Sequence, residues 1–254
     1  MSLEHRSFTP AADRPLNRDC IKYLAVLAML LNHTAYVFLP HTGPLFEILT
    51  DIGYFTAITM CYFLVEGYGY TRSKRDYARR LLLFALLSQP PFWLAFGTPS
   101  LNMLFTLLCC FLILVCRERI ADRRRQSVAV AVLMLLTVFG DWAVFAAWFT
   151  IQFDQARGDR DAQRSAYLRS YLVFSLVSVI QYASECALWL AVLRGLAAGL
   201  GILVSGFVIL HLYNGQRAAK GRAFSKWFFY LFYPVHLTAL VVIRLSCNAL
   251  IGKI

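Results

Sequence analysis

Apolar residues in this chain fall into long runs separated by short polar connections. The run from residue 18 to about 39, RDCIKYLAVLAMLLNHTAYVF, sets the pattern with about six helical turns of mostly apolar side chains. Arg18 and Lys22 stand one turn apart at its start, and His33 lies deep inside it. Further runs follow at about 45–69, 77–96, 101–116, 127–139, 142–154, 166–183, 188–212 and 227–249. They predict an all-α polytopic transmembrane bundle of about nine spans, with residues 18–254 as one domain. Two spans are short: 127–139 and 142–154 each reach only roughly 18–20 Å, less than the ~30 Å bilayer core. Gly140 and Asp141 predict a turn between them.

Charge placement changes the picture more than the total. The net charge is +11, but 59% of residues are hydrophobic and only 15% charged. That balance excludes a soluble nucleic-acid binder and fits a protein whose partner is the lipid bilayer. The basic residues collect in alternate connections. Arg72, Lys74, Arg75, Arg79 and Arg80 follow the second run, and Arg117, Arg119, Arg123, Arg124 and Arg125 follow the fourth. Arg157, Arg160, Arg164 and Arg169 follow the sixth, and Arg217, Lys220, Arg222 and Lys226 the eighth. The connections near 40–44, 97–100, 140–141 and 184–187 carry no Lys or Arg. The positive-inside rule then predicts a cytoplasmic N-terminus and, with nine spans, a C-terminus outside. Residues 1–17, with Pro10, Pro15 and no periodicity, read as a flexible cytoplasmic leader and show no cleavable signal. The seven cysteines lack Cys-x-x-Cys spacing and predict neither a disulfide framework nor a metal site.

Two histidines are the leading candidates for chemistry. His33 is eleven residues past Lys22 and His236 ten past Lys226, so each ring sits roughly 15 Å inside an apolar segment. Ionisable side chains at such depth are costly and point to function. Pro234 beside His236 predicts a kink that turns the ring toward a cavity. Ser88-Gln89-Pro90-Pro91 predicts a break in the third run with a cavity beside it. Asn32, Asn102 and Asp51 are the further candidates for the catalytic set, Asp51 to orient a histidine or receive an amine. Glu66 is expected to pair with an arginine of segment 72–80, and Arg194 with Glu185 or Asp51.

Several segments together resemble the TraX family, named for a protein that acetylates the N-terminus of conjugative pilin. RDCIKYLAVLAMLLNHTAYVF is similar to its first helix, and FLVEGYGYTRSKRDYARRLLLFALLSQPPFWLAF to its second and third. NMLFTL and DWAVF resemble later blocks, and KWFFYLFYPVHLTAL its last helix. The resemblance places His33 and His236 on the family's histidines and Glu66, Asn102 and Asp141 on recurring polar positions. It departs at Asn32, where the family has aspartate, and at Tyr54, where the family has arginine. It also implies a relation to membrane acyltransferases and a bacterial-type inner-membrane location.

The expected function is transfer of an acetyl group from cytoplasmic acetyl-CoA to an amine or hydroxyl acceptor, such as a peptide N-terminus, an amino sugar or a small amine. CoA is a polyanion, and Lys22, Arg79, Arg80 and Lys226, with Glu66 among them, are the candidates for the donor side of the site. One histidine would act as base or be transiently acetylated, while the other, or Asn32 and Asn102, would stabilise the oxyanion. The competing expectations are a proton-coupled transporter with a histidine relay and a structural partner of a secretion apparatus. A homo-oligomer is compatible with the sequence.

Overall fold

A computed structural model describes residues 14–251. It contains α1 (Arg18–Phe38), α2 (Pro44–Tyr70), α3 (Lys74–Phe96), α4 (Met103–Arg119), α5 (Arg123–Leu136), α6 (Phe145–Gln155) and α7 (Arg160–Tyr182). These are followed by α8 (Leu188–Ala198), α9 (Leu200–Phe207) and α10 (Arg222–Ile251). No strand occurs among the described residues; Leu16 with Tyr213 and Leu101 with Gly140 form isolated bridges. Among the described residues, four segments are long and apolar enough to cross a membrane: Arg18–Phe38, Pro44–Tyr70, Leu188–Leu212 and Arg222–Ala249. The other expected spans are helical, but α3 and α7 open on charged turns, while α4, α5 and α6 have 17, 14 and 11 residues.

Polar side chains at the chain's turns start the helices. Asn17 accepts from the Cys20 N–H ahead of α1, Ser73 from Asp76 ahead of α3, and Asn102 from Leu104 ahead of α4. Asp122 and Asp159 do the same for α5 and α7. Gly97, at φ +64°, closes α3 in the left-handed conformation that side chains avoid.

The second helix is the hub. It packs against α1, α4, α6 and α9, and between Phe55 and Tyr68 only Met60 and Gly67 escape full burial. A helix apolar on all faces belongs inside a bundle. Around it, α10 lies against α1 and α3, and α7 against α6, α8 and α9.

Several expectations change. Residues 127–154 do form two short helices, but α5 begins at Arg123, and the turn extends from Gly140 to Val144. Helix α3 runs unbroken through Pro90 and Pro91. The span 188–212 is interrupted at Gly199, where a Cβ would come within 2.3 Å of Ser175 Oγ, and ends in one π turn, Val208–Leu212. Arg194 pairs with Glu47 at 3.0 Å instead of Glu185 or Asp51. Of the expected leader, residues 1–13 lie outside the described residues. The rest is fastened: Leu16 N–H donates to Leu212 O at 3.0 Å, and Arg14 Nη1 donates to Tyr213 O at 3.2 Å. All seven cysteines are free.

Candidate functional site

The first and last spans bring their histidines together. Helix α10 packs along α1, and His33 Nδ1 lies 2.8 Å from His236 Nε2, with the rings 12° from parallel. His236 Nδ1 lies 2.8 Å from Phe232 O, one turn earlier on α10. A carbonyl only accepts, so for neutral rings the polarity of the chain follows. His236 Nδ1–H donates to Phe232 O, its Nε2 accepts from His33 Nδ1–H, and His33 Nε2 keeps a free lone pair. Phe96 and Tyr233 stand edge-on to His33 with centroids at 5.0 and 6.1 Å.

His33 lines a cavity of about 1190 Å³ enclosed by α1, α2, α3, α4, α7, α10 and the Gly140–Val144 turn. Small-molecule sites usually hold about 300–1,000 Å³, so there is room for a large ligand. The walls are graded. At one end stand Arg18, Lys22, Arg72, Arg80, Arg217, Arg222 and Lys226, with Asp19 alone of opposite charge. Val26, Met29, Ala57, Met60, Leu64 and Leu81 form an apolar middle. At the other end stand Asn32, His33, Tyr36, His41, Thr98, Ser100, Asp141, Trp142 and Tyr182, with no Lys or Arg. His33 stands at the boundary between the apolar middle and this second end, with His236 bonded to it off the cavity wall.

The basic end is held in place by one buried ion pair. Glu66 is 1% exposed and accepts from Arg18 Nε at 2.7 Å, with a second bond from Arg18 Nη2. Tyr213 donates its hydroxyl proton to the other carboxylate oxygen at 2.7 Å. Glu66 therefore meets Arg18 across the bundle and not an arginine of segment 72–80, because the α2 face carrying it turns toward α1. This leaves Lys22 and Lys226 on the cavity wall without an ion-pair partner among the described residues, each within 6 Å of an aromatic ring. Arg80 also lines the cavity and donates to the Tyr230 hydroxyl at 3.4 Å. Arg79 does not; it faces outward and pairs with Asp76 at 3.6 Å.

The remaining candidates separate. Asn32 lines the cavity beside His33, with its amide donating to Thr50 O at 3.0 Å. Asn102 is fully buried and consumed by structure: its amide donates to Ala85 O at 2.8 Å and Gln89 Oε1 at 2.9 Å while its oxygen caps α4. Gln89 in turn donates to Ser100 O, so the polar group near the prolines ties α3 to α4. Asp51 lies off the cavity, with one carboxylate oxygen buried and without a hydrogen-bond partner.

Three residues of this chamber, Tyr233, Tyr36 and Trp142, were not among the candidates. Tyr233 is 4% exposed and lines the cavity, and its hydroxyl proton has no acceptor among the described residues. Its signal was spacing: it precedes His236 by three residues and so shares its face. Tyr36 follows His33 by three in the same way.

Comparison with known proteins adds kinship to this geometry. The chain is 31% identical over 233 residues to a Dichelobacter nodosus protein named "Probable fimbrial assembly protein FimC, serogroup H1", covering 87% of this chain and 92% of that protein. No solved structure gives a significant match. The family described as TraX protein matches residues 17–244, which hold both histidines, the Arg18–Glu66 pair and the Asp141 turn. On that match the chain belongs to the TraX family.

Proposed function

We propose that this protein is an integral-membrane acetyltransferase that carries an acetyl group from acetyl-CoA to an acceptor in pilus or fimbrial assembly. The observation that carries the reading is the placement of His33, bonded to His236, on a graded cavity, between a cationic end and an end that lacks cations. The kinship with a fimbrial assembly protein supports the setting.

On this reading the basic end faces the cytoplasm of a bacterial inner membrane, by the positive-inside rule. There Lys22, Arg80, Lys226, Arg72, Arg217 and Arg222 attract the phosphates of CoA, and the apolar middle receives the pantetheine arm. The thioester comes to rest beside His33. His33 Nε2 removes a proton from the acceptor as it attacks the thioester carbon, and His236 shares the resulting positive charge through the 2.8 Å bond. Collapse of the tetrahedral adduct breaks the C–S bond, and the proton on His33 leaves on the CoA sulfur. Tyr233 Oη is the nearby unpartnered donor suited to the oxyanion.

The test uses the full chain reconstituted in lipid vesicles with acetyl-labelled CoA and a peptide bearing a free N-terminus. Label should pass to the peptide and fail to do so with His33→Ala. Full transfer by that variant would remove His33 from the chemistry. A pH-driven flux with no acetyl-CoA consumed would replace the reading with transport.

A further inference from the structure

The connection between the π turn and α10 borders the basic end of the cavity, and a single acid ties it down. Arg217 within this connection and Arg222 directly after it both line the cavity. Gly215 and Gly221, with φ of +75° and +74°, bound its central part in a conformation that side chains avoid. The start of the segment is held by the chain's beginning: Asn214 N–H donates to Leu16 O at 2.9 Å, and Arg18 N–H donates to Gln216 O at 2.8 Å. Past Gln216 the fastening passes to a side chain. Asp19 Oδ2 accepts from the Ala218 N–H at 3.0 Å, across 199 residues of sequence. Ala218 O accepts in turn from Arg222 Nε at 2.9 Å, so one residue links the acid to a cavity arginine.

By charge alone this acid is misplaced. Asp19 lines the same end as Arg18, Lys22, Arg217 and Arg222, where it cancels part of their attraction for an anion. An acid in the first turn of α1 also favours the positive end of the helix, but that role needs no contact with residue 218. The two hydrogen bonds through Ala218 supply a different role. Arg222 is held by its Nε, and its two Nη groups make no hydrogen bond among the described residues, so the donors that fit a phosphate remain open. A loose segment would have to be ordered each time a ligand arrived, and that cost would be subtracted from affinity.

We propose that Asp19 is a positioning residue for the phosphates of a nucleotide ligand: through Ala218 it holds the 216–220 segment and Arg222 at the basic end of the cavity, although its own charge repels the ligand. The inference rests on the acetyl-CoA reading for the identity of that ligand, though not for the tether. Its consequence is a sign opposite to simple electrostatics. Removing an acid from among cations should tighten the binding of an anion, whereas removing this one should weaken it.

The experiment uses the detergent-solubilised full chain, with CoA as the probe, and compares Asp19→Ala with Asp19→Asn. Both lose the charge, but only asparagine keeps an oxygen that accepts from the Ala218 N–H. Asp19→Ala should weaken CoA binding by about tenfold, the scale of one hydrogen bond to a charged group, and speed hydrogen exchange across 216–220. Asp19→Asn should bind at least as tightly as the wild type and keep its protection. Arg222→Ala should weaken binding in the wild type and add little in Asp19→Ala, because the two act as a unit. The proposal is overturned if Asp19→Ala binds CoA as tightly as the wild type or leaves exchange unchanged. It is equally overturned if Asp19→Asn loses as much as Asp19→Ala, the result expected of a helix-end charge. Should Asp19→Ala fail to fold, Ala218→Pro removes the donor with Asp19 in place, and the same two readouts decide. Asp19-dependent CoA binding with no acetyl transfer by the wild type would keep the tether and discard the acetyltransferase reading. Acetyl transfer with CoA binding indifferent to Asp19→Ala would do the reverse, and no CoA binding by the wild type would discard both.

Discussion

His33 and His236 are 203 residues apart in the chain and joined by one 2.8 Å hydrogen bond whose direction is set by the Phe232 carbonyl behind it. The two rings therefore have unequal roles. His33→Ala should lower acetyl transfer by about 10²–10⁴-fold, the range for losing a general base. His236→Ala should cost less, and His236→Gln should restore part of the loss, because a glutamine oxygen can still accept from His33 Nδ1–H. Single-turnover rates with labelled acetyl-CoA read this, and a larger effect at His236 than at His33 would invert the assignment.

The Arg18–Glu66 pair is a stability element more than a ligand contact. Both side chains are buried, so Arg18→Ala or Glu66→Ala alone should destabilise the protein by about 3–5 kcal/mol, the cost of stranding a buried charge. The double substitution Arg18→Met with Glu66→Leu should recover much of that. Thermal unfolding in detergent makes the comparison.

At Gly53 the first two helices approach so closely that a Cβ would lie 2.4 Å from Asn32 Nδ2 and Cβ. Gly53→Ala should cost about 1–3 kcal/mol by overpacking and also lower activity, because α1 can only yield by moving His33. Gly43→Ala is the control for space: a Cβ there meets nothing within 4 Å, although its φ of +108° adds strain.

On the proposed acetyl-CoA reading, Lys226→Ala and Lys22→Ala should raise KM for acetyl-CoA with kcat little changed, since they would meet the ligand's phosphates and not the reacting carbon. The rise should shrink at high salt, where screening has already weakened the wild-type attraction. Arg79→Ala, off the cavity, should leave KM alone.

Burial pushes the Asp141 carboxyl up to about 6 from its ordinary 3.8. The folded chain then binds this proton more tightly than the unfolded one, so the penalty of burying the charge is present above pH ~6 and fades toward pH ~4. Stability of the wild type relative to Asp141→Asn should rise as pH falls through that window. Unfolding titrations of the two chains check the sign.

Much of the architecture was legible because helices follow local rules. The apolar runs and the turn at Gly140 and Asp141 are set by residues within a few positions of one another; the caps at Asn17, Ser73, Asp122 and Asp159 are equally local, although they were not read from the sequence. Partners across the bundle were not. Glu66 looked destined for the nearby arginines of 72–80 because sequence distance was the only guide, and Asn102 looked catalytic because a cap and a site residue carry the same amide. The Ser88–Pro91 segment looked like a break, yet neighbouring helices keep α3 helical through both prolines.

The sequence by itself determined that the chain is a bundle of apolar helices with its basic residues in alternate connections, and that two histidines lie at matching depth in the first and last spans. Periodicity and hydropathy suffice for that, since each is a property of contiguous residues. Tertiary structure alone decided that the histidines touch, which of them faces the cavity, that Arg18 neutralises Glu66 and that the Gly140–Val144 turn brings Asp141 to the same chamber. Those outcomes depend on rotation and offset between helices, which are set by packing among residues far apart in the chain.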